Sequence, residues 1–288
     1  MNDNLKKRIL TALVGVPVIL WLLLGLGVGG VAFFAWVVSM GMLYEFCRMF
    51  LGLADAREKT FLMLLVGTIA HALNYVIPVG LPAVVLALVP FVLFFLYFLF
   101  TVPRVLGYGG REALNSQEGT EALGAHVREL MALGFGWVYC VWFPLLMVGV
   151  RSMMEGKHWL MFTMIVIWSG DTFAYFAGRF FGKRKLFEMV SPKKTWEGAW
   201  GGILGACVLA GTYAWWFLPY ESPWFLGVMI LTLSAAGIVG DLAESLLKRA
   251  SKEKDSGSIL PGHGGFMDRF DGVVFALPVT YLMLRYLS

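Results

Sequence analysis

The sequence predicts an all-α polytopic integral membrane protein, a bundle of about nine transmembrane helices with a cytoplasmic N-terminus. Three observations carry this. Of 288 residues, 59% are hydrophobic and only 15% charged, whereas soluble domains carry about 25% charged residues. The apolar residues gather into nine stretches, most of them near the roughly 20 residues that cross a hydrocarbon core. With the N-terminus inside, 20 of the 23 Lys and Arg fall on the cytoplasmic side, as the positive-inside rule requires. Adding or losing one span in the middle would put one of the two richest basic loops outside.

The stretches follow in order. The first, 9–28, comes after Lys6-Lys7-Arg8. It is longer than a signal-peptide core and no small-x-small site follows it, so it reads as an uncleaved span. A weak break at Gly27 to Gly30 separates it from the second, 30–50. The third, 61–80, and fourth, 82–102, are divided by Pro78 to Pro82. The polar insert 103–128 reads as a loop with a short surface helix. Five more stretches follow: 130–150, 158–179, 198–218, 223–246 and 272–287. The chain divides into N-terminal helices and their cytoplasmic loop (1–128) and C-terminal helices with two chemistry-bearing loops (129–288), within one membrane domain. Cys47, Cys140 and Cys207 show no ligand spacing and read as small buried hydrophobes. Trp137, Trp142, Trp215 and Trp216 read as interfacial anchors. Gly198 with Gly202 and Gly201 with Gly205 read as close-packing pairs. Glu45 reads as a partner for a basic loop, and His71, His126 and His158 as structural.

Topology accounts for the Lys and Arg of the loops 179–197 and 247–271, but not for the acids, His and glycines among them. Asp241, Glu244, Ser245 and Lys248 are spaced to share one helix face. An acid at the depth of Asp241 costs roughly 2.5–3.5 kcal/mol on insertion scales and marks a functional site by default. Glu244 is equally well read as an interfacial acid paired with Lys248. Asp268 and Asp271 bracket Arg269 at the mouth of the last span. One Asp would suffice for a helix cap; two, with Asp241, point to Mg²⁺, which takes carboxylates, phosphates and water. Gly262-His263-Gly264-Gly265 is a turn whose backbone N–H groups can approach phosphate; His263 can donate to a phosphate or a ring carbonyl. Asp171, another intramembrane acid, shares a face with Tyr175 and Gly178 and needs a cation or metal as partner. Ser191 to Thr195, with Lys193 and Lys194 between hydroxyls, reads as a phosphate-gripping strip that also caps a helix.

The pattern S-x-x-K-R-x4-K-D-x-G-x2-L-P-x-H-G-G-F-x-D-R-F-D, Ser245 to Asp271, resembles the signature of phosphatidate cytidylyltransferases, the CDP-diacylglycerol synthases. Ser191 to Gly198 and D-x3-Y-x2-G-R at 171–179 are similar to that family too. The N-terminal half is similar in hydropathy alone. The resemblance implies transfer of CMP from CTP to phosphatidate, giving CDP-diacylglycerol and pyrophosphate, in phospholipid biosynthesis. It implies Mg²⁺, with K⁺ as a candidate second ion, a nine-helix bundle and a homodimer; the charge asymmetry puts the active site on the cytoplasmic face of the cell (inner) membrane. No nucleic acid partner is expected. The catalytic residues expected are Asp241, Lys248, Asp268 and Asp271, with Asp241, Asp268, Asp271 and Asp171 serving the metal. Substrate binding is expected from Ser191, Lys193, Lys194, Thr195, Arg249, Lys254, His263, Gly264, Gly265 and Arg269. Two other classes fit the residues: a CTP-dependent polyprenol kinase, and a transporter of an anionic metabolite. Transporters usually show repeated halves with polar groups at mid-membrane, whereas here the polar groups crowd one face.

Overall fold

A computed structural model of the chain describes residues 13–51, 56–77, 92, 96, 100, 115–260, 262 and 264–287. The start of the first expected span, nearly all of the fourth, and His263 lie outside the described residues.

Val92, Leu96 and Phe100 are helical, and eight helical segments and one two-stranded hairpin have described bounds. They are α1 (Leu13–Gly25), α2 (Gly27–Phe50), α3 (Ala56–Val76), α4 (Gln117–Arg151), α5 (Gly156–Phe181), β1 (Lys185–Phe187), β2 (Ser191–Thr195), α6 (Trp196–Phe217), α7 (Pro223–Ala250) and α8 (Met267–Tyr286). Five of them, α2, α3, α4, α5 and α7, are long and apolar enough to cross a membrane. The protein is thus helical and membrane-embedded, with little sheet. Helices α6 and α8 fill the places of the seventh and ninth expected spans without belonging to those five. Asp268, Arg269, Asp271 and Arg285 make α8 less apolar.

Helix α4 starts earlier than the sequence pattern suggests. Ser116 caps it, its hydroxyl accepting from Gly119 N at 3.0 Å, so the end of the polar insert is helical and the 128/129 division falls inside a helix. A π turn, Val138–Trp142, interrupts it. Pro144 explains the turn: it has no N–H to offer the Cys140 carbonyl, and its ring crowds that oxygen. Ser39 of α2 supplies the missing bond, its hydroxyl donating to Cys140 O at 2.6 Å.

The core lies among α2, the second half of α4, α5, α7 and α8. Along α2, Val31, Phe34, Ala35, Val38, Met42 and Phe46 form the buried stripe expected of helical spacing, and Glu45 sits on the same stripe. Helices α5 and α6 meet through small residues: a Cβ on Gly202 would lie 2.7 Å from Gly170 O, and one on Gly198 2.9 Å from Ala174 O. The glycine pairs at 198–205 therefore serve close packing, as their spacing suggests. A Cβ on Gly240 would lie 2.6 Å from Asp271 O, which is how α7 brings Asp241 and Glu244 against Asp271 of α8. Two smaller expectations change. Cys207 lies on the exposed face of α6, although Cys47 and Cys140 are buried. Trp137 packs into the core at 5% exposure, because α4 turns that face inward, while Trp215 and Trp216 are exposed.

Candidate active site

The site forms where the C-terminal ends of α2, α5 and α7 meet the N-terminal ends of α6 and α8. The hairpin comes first. β1 and β2 pair antiparallel, Lys185 opposite Thr195 and Phe187 opposite Ser191. Thr195 ends β2 and caps α6, its hydroxyl accepting from Gly198 N at 3.1 Å. The Glu197 carboxylate turns back and accepts from Lys183 N at 3.0 Å and Arg184 N at 3.2 Å. Those backbone donors hold its carboxyl below the ordinary value. The hairpin is thus fastened at both ends, and Lys193 and Lys194 project from a defined strand.

Lys194 forms an ion pair with Asp241 of α7. This joins the second basic loop to the helix face identified in the sequence. Between them opens a cleft of about 420 Å³, lined by Asp171, Tyr175, Arg179, Lys193, Lys194 and Asp241, among others. Asp171 is exposed to it, and Arg179 donates to the Tyr175 hydroxyl at 3.0 Å.

Behind Asp241 stands a carboxylate cluster. Oxygens of Asp241, Glu244 and Asp271 lie within 4.8 Å of one another. Glu244 is 2% exposed. Its Oε2 accepts from Lys248 Nζ at 2.8 Å, and its Oε1 is buried without a hydrogen-bond partner among the described residues. Three converging carboxylates, one with an unsatisfied buried oxygen, suit a hard divalent cation such as Mg²⁺.

Asp268 is engaged differently. Its Oδ1 accepts from Lys248 Nζ at 2.8 Å. Its Oδ2 accepts from Ser256 Oγ at 3.0 Å, Gly265 N at 2.9 Å and Ser256 N at 3.3 Å. Both oxygens are committed to fastening the loop 251–266 onto α8, and Glu244 stands in the cluster where the sequence places Asp268. Lys248 is clamped between Glu244 and Asp268, with its side chain 16% exposed. Gly264 has φ +84° and faces the Asp268 carboxylate; only glycine takes that conformation without strain. The Gly265 backbone N–H already serves Asp268. Ser191 is partly buried in β2, and Lys193, Arg249, Lys254 and Arg269 are exposed.

Three contributors lie outside the expected site residues. Glu45, 1% exposed, accepts from Ser256 Oγ, Phe266 N and Met267 N, each at 3.0 Å. It caps α8 from another helix, and Arg48 adds a bond to Ser256 O at 3.1 Å. Ser256 is fully buried and shared by Glu45 and Asp268. Glu244 was visible as a neighbour of Asp241 but equally readable as a partner of Lys248. The signal for Glu45 was its place on the apolar stripe of α2, where a carboxylate needs a dedicated set of donors.

This arrangement combines a cation-edged cleft with a carboxylate cluster at one end of a helical membrane bundle. A phosphatidate cytidylyltransferase of Bacillus subtilis is 47% identical over 136 residues, 46% of this chain and 49% of that protein. Those of Staphylococcus epidermidis and Staphylococcus saprophyticus are 42% and 43% identical over 130 and 131 residues, 45% of this chain and 50% of each relative. The chain matches about half the length of these curated relatives. The family-level match is longer: over residues 6–287, the chain belongs to the cytidylyltransferase family.

Proposed function

We propose that this chain is a phosphatidate cytidylyltransferase, transferring CMP from CTP to phosphatidate to give CDP-diacylglycerol and pyrophosphate. The observation that supports the reading is the Lys194–Asp241 pair: Lys193 and Lys194 line the cleft together with Asp241, which also belongs to the carboxylate cluster. Relatives named for this reaction support it. The reading includes nine spans, a cytoplasmic N-terminus, a homodimer and a site facing the cytoplasm of the cell membrane; the charge asymmetry of the sequence supports the orientation.

The chemistry follows from charge. A phosphate monoester has a second pKa of about 6, so the phosphatidate oxygen is already anionic at neutral pH and needs no strong general base. It attacks the α-phosphorus of CTP, the bond to the β-phosphate oxygen breaks, and pyrophosphate leaves with the electron pair. The obstacle is repulsion between two polyanions, which positioned cations relieve. Lys193 and Lys194 border the cleft and serve the phosphates, with Arg179 at its wall. Lys248 holds α7 to α8 through Glu244 and Asp268, so that Asp241, Glu244 and Asp271 converge. Those three would hold Mg²⁺, which when bound supplies further neutralisation of phosphate charge. Asp171 faces the cleft and sets its charge, and Ser191, Thr195 and Gly265 act through the backbone shapes they fix. Arg249, Lys254 and Arg269 give the surrounding surface a positive rim that attracts the nucleotide.

The test is incubation of the purified protein with CTP labelled on cytosine, phosphatidate and Mg²⁺. Label in the lipid phase with pyrophosphate released is expected. Release of CDP with a phosphorylated alcohol would mean a kinase instead, and vesicle flux without any lipid nucleotide would mean a transporter.

A further inference from the structure

Two buried polar atoms beside the carboxylate cluster have no hydrogen-bond partner among the described residues: Glu244 Oε1 and the Tyr139 hydroxyl. Tyr139 is 1% exposed and Glu244 2%. Buried polar atoms are almost always paired, and an unpaired one in a native fold calls for a ligand, water or ion. Tyr139 is brought here by the π turn of α4, a feature that recurs at functional sites. Its ring packs against Phe275, centroids 5.4 Å apart, and Phe275 follows Asp271 by one turn on the same face of α8. Gly240, next to Asp241, packs on the same Phe275: a Cβ there would lie 2.9 Å from Phe275 Cβ. Helix α4 therefore brings beside the cluster a hydroxyl that has no hydrogen-bond partner among the described residues.

We propose that the Tyr139 hydroxyl belongs to the outer shell of a divalent cation held by Asp241, Glu244 and Asp271, hydrogen-bonded to a water on that cation. The inference rests on the cation-site reading given above. A cation-bound water has a lone pair committed and two hydrogens to give, and the phenol oxygen accepts one. Partners at this remove orient the ligand shell, and their loss typically lowers metal affinity 10–100-fold. A purely structural Tyr139 predicts the opposite pattern, because removing an unpaired buried hydroxyl is neutral or stabilising and leaves cation binding alone.

The experiment measures Mn²⁺ binding to the purified, detergent-solubilised full chain, without nucleotide or lipid, by titration calorimetry and by the paramagnetic resonance of free Mn²⁺. Tyr139→Phe is expected to weaken Mn²⁺ by about tenfold or more, while the thermal midpoint of the metal-free protein stays level or rises. Phe135→Leu, which alters a ring 5.8 Å from Tyr139 without removing a polar atom, is expected to keep wild-type affinity. Equal affinity in Tyr139→Phe and wild type would overturn the proposal alone. So would an equal loss in Phe135→Leu, which would trace the effect to packing, and so would a Tyr139→Phe chain that fails to fold. A wild-type chain that binds no Mn²⁺ would overturn the cation site together with it.

Discussion

Glu45→Gln isolates the joint between the two halves of the protein. The carboxylate accepts Phe266 N on Oε1, and Met267 N and Ser256 Oγ on Oε2. A glutamine of the same shape keeps one acceptor oxygen and gains an NH₂ group. Whichever way the amide lies, one backbone N–H at the start of α8 then faces another donor. Hydrogen bonds to a charged group contribute about 1.5–3 kcal/mol each, and a stranded buried donor costs about 1–3 kcal/mol. The lower desolvation cost of the neutral amide offsets part of this. A net loss of about 2 kcal/mol is left in the local stability of the loop 251–266 and the first turn of α8, which is about 30-fold in an opening equilibrium. Hydrogen exchange followed by mass spectrometry on peptides covering 256–270 reads that equilibrium directly. Exchange there should accelerate by tenfold or more, while peptides from the first half of α5 keep their protection. Protection at 256–270 within twofold of wild type would refute the claim that Glu45 holds this loop. Glu45→Ala should go further, since it removes all three bonds and leaves a cavity.

Gly265→Ala drives a methyl group into Ser256 Oγ and the Glu45 carboxylate. Overpacking of this kind costs about 1–3 kcal/mol, so its thermal midpoint in detergent should fall, and an unchanged midpoint would mean the loop is looser than described. Lys194→Met removes the cation that joins β2 to Asp241. For the proposed reaction kcat/KM for CTP should drop about 10–100-fold, the worth of one charge-assisted bond; a drop below threefold would remove Lys194 from the phosphate site. Glu197 has its folded-state pKa held below the ordinary 4.5 by the N–H groups of Lys183 and Arg184. Its contribution to closing the hairpin is therefore present above about 4.5 and is lost as pH falls through the lowered value. Proteolysis within 183–195 should rise on acidification in wild type, while Glu197→Gln should be susceptible already at neutral pH; equal susceptibility at neutral pH would contradict this.

What the sequence made legible follows from the range of its signals. Hydropathy and charge asymmetry gave the membrane class and located α2, α5 and α7 to within a few residues: 30–50, 158–179 and 223–246 became Gly27–Phe50, Gly156–Phe181 and Pro223–Ala250. Helical spacing put Asp241, Glu244 and Lys248 on one face, and they do share it. Each of these signals lies within one element. The π turn of α4 needs Pro144 and a hydroxyl from Ser39, 101 residues before the Cys140 carbonyl it serves. The cap on α8 comes from Glu45, more than 200 residues upstream of the N–H groups it accepts. No local pattern encodes either contact, since a window along the chain cannot see what a neighbouring helix presents.

The same limit explains how roles were divided among the acids. Spacing alone treats Asp241, Asp268 and Asp271 alike, because all sit near helix ends at the polar face. The structure separates them by their donors. Asp268 has four hydrogen bonds from Lys248, Ser256 and Gly265, so it is satisfied without any ligand. Glu244 has Lys248 on one oxygen and nothing on the other. Asp241 has Lys194, a side chain on a strand that also borders the cleft. With every group ionised, the four carboxylates of Asp241, Glu244, Asp268 and Asp271 face the two ammonium groups of Lys194 and Lys248. The carboxylates outnumber the ammonium groups, an excess that a divalent cation would lower. A cluster so charged inside a helical bundle is costly by itself, and the cost falls on Asp241, Glu244 and Asp271 more than on Asp268, which has four donors. Asp268→Asn should therefore act first on the stability of the loop 251–266, whereas Asp241→Asn should act first on Mn²⁺ affinity with that loop intact. If both variants lost cation binding equally while hydrogen exchange at 256–270 stayed at the wild-type rate in each, the division of labour read from the donors would be wrong.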